Sequence, residues 1–371
     1  MVESQRRLPR QIRSDNKLKY REAMHVNAPQ STSFCYESAA LLSKAIQQEE
    51  ARCPRTLLLQ LIDLAPLPLP GSGFTLERWR ALANIAGYDL SCAKFYESHA
   101  DALAILRELG HSHLVSDKDI WAVWCAEPPN RKVHISAPAL PGSMVQIDGT
   151  KAWCSGASLV DRALLSAWDT NNKPCLVAAD MSQAEIRVTN DGWNAVGMAA
   201  TASVDVEFNA AIGTVVGTSG SYVARPGFHH GAAGIAACWY GAAQSIASHV
   251  HQRLKQQSKN EHATAHLGAM DVVLSQAACL LRAAAAEIDK NPEDSCELVV
   301  RRTRLAVESA AETVLYRTPR ALGAGPMCKD RHLAQQLADL PVFIRQSHAE
   351  RDQAAHGHRL LHLEEERLWT L

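Results

Sequence analysis

From about Gln146 to Phe208 apolar and polar residues alternate over short runs: QIDGTKAWCSG, VDRALLSAWD, CLVAADM and DGWNAVGMAATASVDVEF. That period of two is the pattern of half-buried strands. Asp148-Gly149 and Asn171-Asn172 are turn signals between the runs. The pattern predicts a small antiparallel sheet. On both sides of it the period lengthens to three and four, the spacing of helices that bury one face.

Before the sheet, SFCYESAALLSKAIQQ (Phe34 to Gln48) and Arg52 to Leu64 read as helices, and the proline-rich Ala65 to Gly73 reads as a loop. Thr75 to Leu109 reads as one helix, with Thr75 as its N-cap and Gly110 as its stop. IWAVWCA is a strand ended by Pro128-Pro129, which cannot donate to a ladder. After Gly213 the glycine- and serine-rich GTVVGTSGSYVARPGFHHG reads as a connector. Four stripes follow, led by Ile235, Trp239 and Ile246, by Leu267, Met270 and Leu274, by Leu298, Leu305 and Val314, and by Leu333, Leu337 and Leu340, with Pro341 as a kink. The predicted fold class is α+β: an N-terminal helical domain (1–117), a central small antiparallel β domain (118–215) and a C-terminal four-helix bundle (216–371).

The chain has 371 residues with 47% hydrophobic and 21% charged content, ordinary for a globular protein. A formal net charge of −1 gives no electrostatic footprint for nucleic acid or an anionic membrane. Ten cysteines without C-x-x-C spacing read as reduced thiols, hence a cytoplasmic protein. The basic N-terminus has no apolar run behind it, so no secretory signal is expected, and no uninterrupted apolar window predicts a membrane span.

The run DGTKAWCSGAS resembles the Gly-x-Lys-x-Trp-x-(Thr/Ser) strand of the acyl-CoA dehydrogenases. Trp193 followed by VGMAATASVDVEF resembles that family's Trp…Gly-Met…Thr-x-Ser segment, AEPP its Thr-Glu-Pro loop, and RALGAGPMCKDRHLAQQLADL its bundle motif. Four motifs in the family's order, over roughly residues 75–350, make a joint signal for its fold. The resemblance implies FAD held between the sheet and the bundle. It would place Trp153 against the ring, Ser155 on the flavin as a hydrogen-bonding hydroxyl, Cys125 and Ala126 at the strand end that meets the ring, and Arg320 and Gly323 on the nucleotide half in a neighbouring subunit. Trp193 is read as structural, packing a corner of the sheet.

The sequence departs from the family at several points. Ala126 replaces a threonine, Ala199 replaces an arginine after Gly-Met, Pro129-Asn130-Arg131 replaces Gly-Ser-Asp, and EHATAHLGAMD replaces an arginine-bearing diphosphate motif. Where a glutamate would take the substrate's α-proton stands Ser347, which has no usable basicity by itself. His348 and Glu350 beside it are the candidate catalytic groups. His229-His230 precede a bundle helix as caps or pocket walls. His348, His356, His358 and His362 do not have the spacing of a bundle metal site, and glycines 213, 217 and 220 do not form a dinucleotide fingerprint. Three functions follow as expectations. The first is α,β-oxidation of an acyl-CoA thioester, with electrons leaving to an electron-transfer flavoprotein. The second is a flavin-dependent monooxygenase of the same fold. The third is a flavin-free relative acting as a binding or assembly subunit. The resemblance also implies a homodimer or homotetramer.

Overall fold

The computed structural model describes residues 54–64, 66–256, 260–364 and 368–369; the helix expected at Phe34 to Gln48 lies outside them. Three helices come first: α1 (Pro54–Leu64), α2 (Thr75–Tyr88) and α3 (Leu90–Glu108). The single helix expected from Thr75 to Leu109 is broken at Asp89. That residue is extended at φ −152°, and its carboxylate accepts from the Cys92 N–H at 2.6 Å, capping α3. Thr75 is not the cap expected. It opens α2 as its first helical residue, and Asp289 from the distant bundle accepts from its N–H at 3.1 Å and its hydroxyl at 2.6 Å. Gly110, at φ +79°, follows the end of α3 as the expected stop.

Seven strands follow: β1 (Trp121–Trp124), β2 (Val133–Ile135), β3 (Met144–Cys154), β4 (Arg162–Trp168), β5 (Pro174–Asp180), β6 (Ile186–Val188) and β7 (Val204–Val216). They are not a plain antiparallel sheet. Pairing runs β4–β2–β3–β7–β5 and returns to β4, so five strands close into a barrel, with β1 added beside β4 and β6 beside β7. β1 and β2 both run parallel to β4, along the same edge of it. Pro128-Pro129 cannot ladder, so the chain leaves that edge and rejoins it further on.

Two sequence signals resolve differently from expectation. Asn171-Asn172 does turn β4 into β5, with Asp169 accepting from the Asn171 and Lys173 amides. Asp148-Gly149 instead lies inside β3 as a bulge, where the register against β7 shifts. Gly149 is at φ +122°, and a Cβ there would stand 2.4 Å from the Lys132 carbonyl oxygen. Nor is Gly213 the start of a connector: β7 continues to Val216. A Cβ at 213 would lie 2.4 Å from Val177 and 2.6 Å from Ile147, so the glycine leaves room for the barrel interior.

Strand alternation sorts the barrel's two faces. Ala163, Leu165 and Ala167 of β4 point inward to join Val177, Val206 and Val215. Leu164 points out and packs with Ile105 and Leu106 of α3.

Past a short helix, α4 (Ser221–Ala224), come α5 (Gly227–Lys255), α6 (Glu261–Lys290), α7 (Glu297–Leu322), α8 (Ala324–Lys329), α9 (Arg331–Phe343) and α10 (Glu350–Leu360). Three of the bundle helices are long and α9 is a short fourth; Pro341 falls in its last turn, where the helix ends rather than kinks. On α7 the buried stripe keeps the expected Val314, while Leu298 and Leu305 are only half-buried. The stripe also includes Thr303 and Thr318, whose hydroxyls donate to their own helix at Val299 O and Val314 O, both at 2.7 Å. The bundle shares one apolar core with α1, α2 and α3. By length and composition α6 could cross a bilayer, with a mean hydropathy of 1.4 in its most apolar stretch, of which one third is buried. That helix packs along α7 and α5 as a bundle member.

Gly241 is where α5 touches α2: a Cβ there would sit 2.0 Å from Ala83 O. Gly241→Ala should cost about 1–3 kcal/mol through forced separation of the helices. Gly268→Ala on α6, with nothing within 4 Å of the new methyl, should be neutral or stabilise by up to about 1 kcal/mol. Thermal and chemical unfolding of the two variants checks the contrast.

Candidate functional site

The site begins with a lysine inside a protein. Lys151 on β3 has a fully buried side chain, and burial of an ammonium is tolerable only with partners. Its Nζ donates to Glu127 Oε1 at 2.5 Å, Ser166 Oγ at 2.7 Å and Ser166 O at 3.1 Å. Glu127 also accepts from the Ser166 hydroxyl and, at 3.0 Å, from Trp168 Nε1. Burial opposes ionisation of Glu127, but the hydrogen bonds from Lys151, Ser166 and Trp168 outweigh it and hold the carboxyl below its ordinary range. The sequence motifs Gly-x-Lys and Ala-Glu-Pro-Pro are therefore two halves of one ion pair. It ties the loop after β1, with Cys125 and Ala126, to β3 and β4.

Two residues beyond the lysine, β3 loses register with β7 a second time, between Lys151 and Cys154. Trp153 lies in that irregularity at φ +59°, left-handed backbone that a bulky residue rarely adopts. The bulge turns its indole outward, where it is 51% exposed. Ser155 follows, and Trp124 Nε1 donates to its carbonyl at 3.2 Å, so the end of β1 and the end of β3 meet.

From Ser155 a chain of hydrogen bonds crosses to the bundle. Ser155 Oγ lies 2.8 Å from Ser203 Oγ, and Ser203 Oγ 2.9 Å from Thr201 Oγ1. Thr201 donates to Met198 O at 2.7 Å, and the Met198 N–H donates to Asp339 on α9. Gly197 allows that contact, since a Cβ there would stand 1.9 Å from Ala338 O. Burial raises the Asp339 pKa. Trp193, partly buried, donates to Met198 O at 3.2 Å and packs against both the helical and the barrel core.

α3 supplies residues that the sequence pattern did not single out. β1 would be an open edge on the side away from β4, but Ser98 Oγ accepts from Val123 N at 2.8 Å and His99 Nδ1 from Trp121 N at 3.1 Å. Burial pulls the His99 pKa down to about 4, so the ring is neutral and accepts. Continuing the alternation, the next amide on that side belongs to Cys125. Burial pushes the Cys125 thiol up to about 11, against the opposing pull of Lys151 and a hydrogen bond with the Tyr222 hydroxyl. Polar residues on one side of a mostly apolar helix such as α3 are the signal that could have found them.

The structure thus sets the β1 exit, with Cys125 and Ala126, beside the last residues of β3 that carry Trp153 and lead to Ser155, through the Trp124 and Lys151 side chains. The other candidates lie on the bundle. Arg320 is exposed near the end of α7, with its guanidinium 3.5 Å above the Tyr316 ring and donating to Tyr316 O at 2.7 Å. Gly323, at φ +67°, ends that helix. Ser347 is buried and donates to Glu308 Oε2 at 2.6 Å. His348 and Glu350 are exposed at the start of α10, where the His348 ring lies 3.7 Å from Asp352.

No family model and no curated protein matches the sequence. Solved structures do share its shape. TdsC from Paenibacillus sp. A11-2, a dibenzothiophene monooxygenase solved with FMN and indole, superposes with a TM-score of 0.72 at 16% identity, over 92% of this chain and 97% of its own. KijD3 in complex with FMN and a dTDP-sugar gives 0.75 at 16%, over 93% and 97%. Butyryl-CoA dehydrogenase from Megasphaera elsdenii gives 0.74 at 14%, over 91% and 99%. The fold is the acyl-CoA dehydrogenase fold that the motifs implied.

Removing the lysine leaves Glu127 partly buried without its cation. Lys151→Met should destabilise by about 2–3 kcal/mol, less than for a fully buried pair because Glu127 keeps some solvent. In Lys151→Met/Glu127→Gln part of that loss should return, which denaturant titration would show. Because the folded Glu127 pKa is lowered, its contribution is full above the ordinary value of 4.5 and is lost as pH falls through the folded value. Glu127→Gln should flatten the acid limb of the stability–pH curve; an unchanged limb would contradict this.

Proposed function

We propose that this protein is a flavin-dependent oxidoreductase that uses reduced flavin and dioxygen to oxygenate a small molecule. The residues present fit a tricyclic ring. The strained bulge holds the Trp153 indole out as an apolar wall, and Ser155 stands beside it at the near end of the Ser155–Ser203–Thr201 hydroxyl row. The Cys125 amide lies on the outward side of β1. When bound, the flavin supplies the redox chemistry; the protein contributes position, donors and exclusion of water. In this reading Trp153 covers a ring face, the Cys125 amide donates to the ring's polar edge, Ser155 turns its hydroxyl from Ser203 to that edge on binding, and neutral His99 holds the strand that carries Cys125.

What favours oxygenation over α,β-dehydrogenation is the residue at the base position. Removal of an α-proton needs a basic group there. Ser347 has its proton committed to Glu308 and is buried, while His348 stands exposed just before α10 and Glu350 exposed on its first turn. The acyl-CoA reading would need one of those two groups as base and would then pass electrons to an electron-transfer flavoprotein. FMN is the cofactor proposed, in place of FAD. Arg320, the group assigned to the nucleotide half, is engaged by its own helix, and the diphosphate arginine is absent from EHATAHLGAMD. TdsC and KijD3 were both solved with FMN.

The purified protein should take up FMN with visible absorbance, and product should form only when reduced flavin and oxygen are both supplied. Anaerobic bleaching by an acyl-CoA would instead favour the dehydrogenase. A colourless protein that binds neither FMN nor FAD would leave the flavin-free binding subunit. Trp153→Ala should weaken flavin affinity by about tenfold or more, read by equilibrium dialysis; full occupancy would refute its place at the ring.

A further inference from the structure

α6 is apolar beyond what its own chain covers: only a third of its most apolar stretch is buried. It packs on α2, α5 and α7 through Met270, Leu274 and Leu281, which belong to the helical core. The side turned away from them carries Ala265, Val272, Gln276, Cys279, Ala283 and Ala286, all exposed and spaced by three, four or seven. Val272 is 54% exposed. Beside this face a groove of about 810 Å³ opens between α5 and α6, with Met270 and Leu274 in its lining. A continuous apolar face with a groove along it marks contact with another molecule.

The charges say what that molecule is. Glu261, Asp271, Arg282 and Lys290 are exposed, and among the described residues none of them forms an ion pair within the chain. The acids come first along the helix and the bases last. Its other acids in the last turns, Glu287 and Asp289, accept from Asn291 and Thr75. A parallel copy of α6 would set each of the four free charges against its own kind. An antiparallel copy, with a two-fold axis between Ser275 and Gln276, sets each against its opposite. Glu261 then faces Lys290 of the partner subunit. Asp271 comes within about 3 Å, measured along the helix axis, of Arg282 of the partner subunit. Asp271 and Arg282 both line the groove, so they lie on the same side of the helix and can meet there. The same register lays Ala265 against Ala286 and Val272 against Cys279.

We propose that the outward face of α6 docks a second copy of this chain, α6 on α6, antiparallel about that axis. The family resemblance implies a homo-oligomer but no face for it; the charge order along α6 supplies the face, the direction and the register. Such an interface uses the same patch on both copies, so it closes at two. Complementary charges fix the register and disfavour the parallel arrangement. No group of the barrel takes part, so the inference is independent of the flavin reading.

Light scattering on the full-length protein should give the mass of two copies or an even multiple of it. Asp271→Arg and Arg282→Asp should each weaken association by about tenfold or more, because each sets like charges together, and the double exchange should restore it. Val272→Arg, at an exposed position outside the core, should yield single copies. Val272→Cys should link to Cys279 of the partner subunit under mild oxidation, and peptide mapping of the linked chains reads the register even if a charge variant does not fold. Wild type that stays single at micromolar concentration overturns the proposal. So does association that ignores both charge reversals and gives no 272–279 link. A single-copy protein that sediments with phosphatidylcholine vesicles would assign the face to a lipid surface and overturns it equally.

Discussion

The ion pair between Lys151 and Glu127 is the constraint on which the candidate site depends. An ammonium with no solvent is tolerable only beside a partner, and its carboxylate partner sits on the loop leaving β1. Three separate pieces of chain, the β1 exit, β3 and β4, are held in one relation by Glu127, Lys151, Ser166 and Trp168. The bulge that presents Trp153 begins two residues after the lysine, so the fixed point and the displayed aromatic share one strand. Rigid support next to irregular backbone is how a binding surface keeps its geometry without being buried.

A second constraint joins barrel to bundle. The hydroxyls of Ser155, Ser203 and Thr201 pass a continuous line of hydrogen bonds to Met198, and Met198 passes it to Asp339 on α9. The close approach at Gly197 is what lets a loop of the β region lie against a bundle helix. A flavin held at the barrel end would thus be bordered by groups whose positions are set from both layers.

Much of this was legible in the sequence, for identifiable reasons. Period-two alternation located the strands, and the motif residues Glu127, Lys151, Gly197 and Asp339 each turned out to make a contact between elements. The misread glycines share one cause. Asp148-Gly149 and Gly213 carry turn-like chemistry, but in a closed barrel glycine also serves bulges and crowded interior positions. Likewise Asp89 broke a helix that its periodicity continued, because a side-chain cap is a local event that apolar spacing does not register. Closure of the barrel could not be read at all, since β4 pairs with strands far apart in the chain. The residues on α3 stayed hidden because Ser98 and His99 acquire meaning only from the strand set against them.

The left-handed tryptophan has a consequence for how this protein would evolve or be engineered. Only glycine is at ease in that backbone region, so replacing Trp153 by glycine would relax the chain and remove an apolar ring from solvent. Selection for heat resistance alone would thus favour erasing the aromatic, while selection for ligand capture would favour keeping it. Position 153 is one where steadiness of the empty fold and usefulness of the filled one pull in opposite directions.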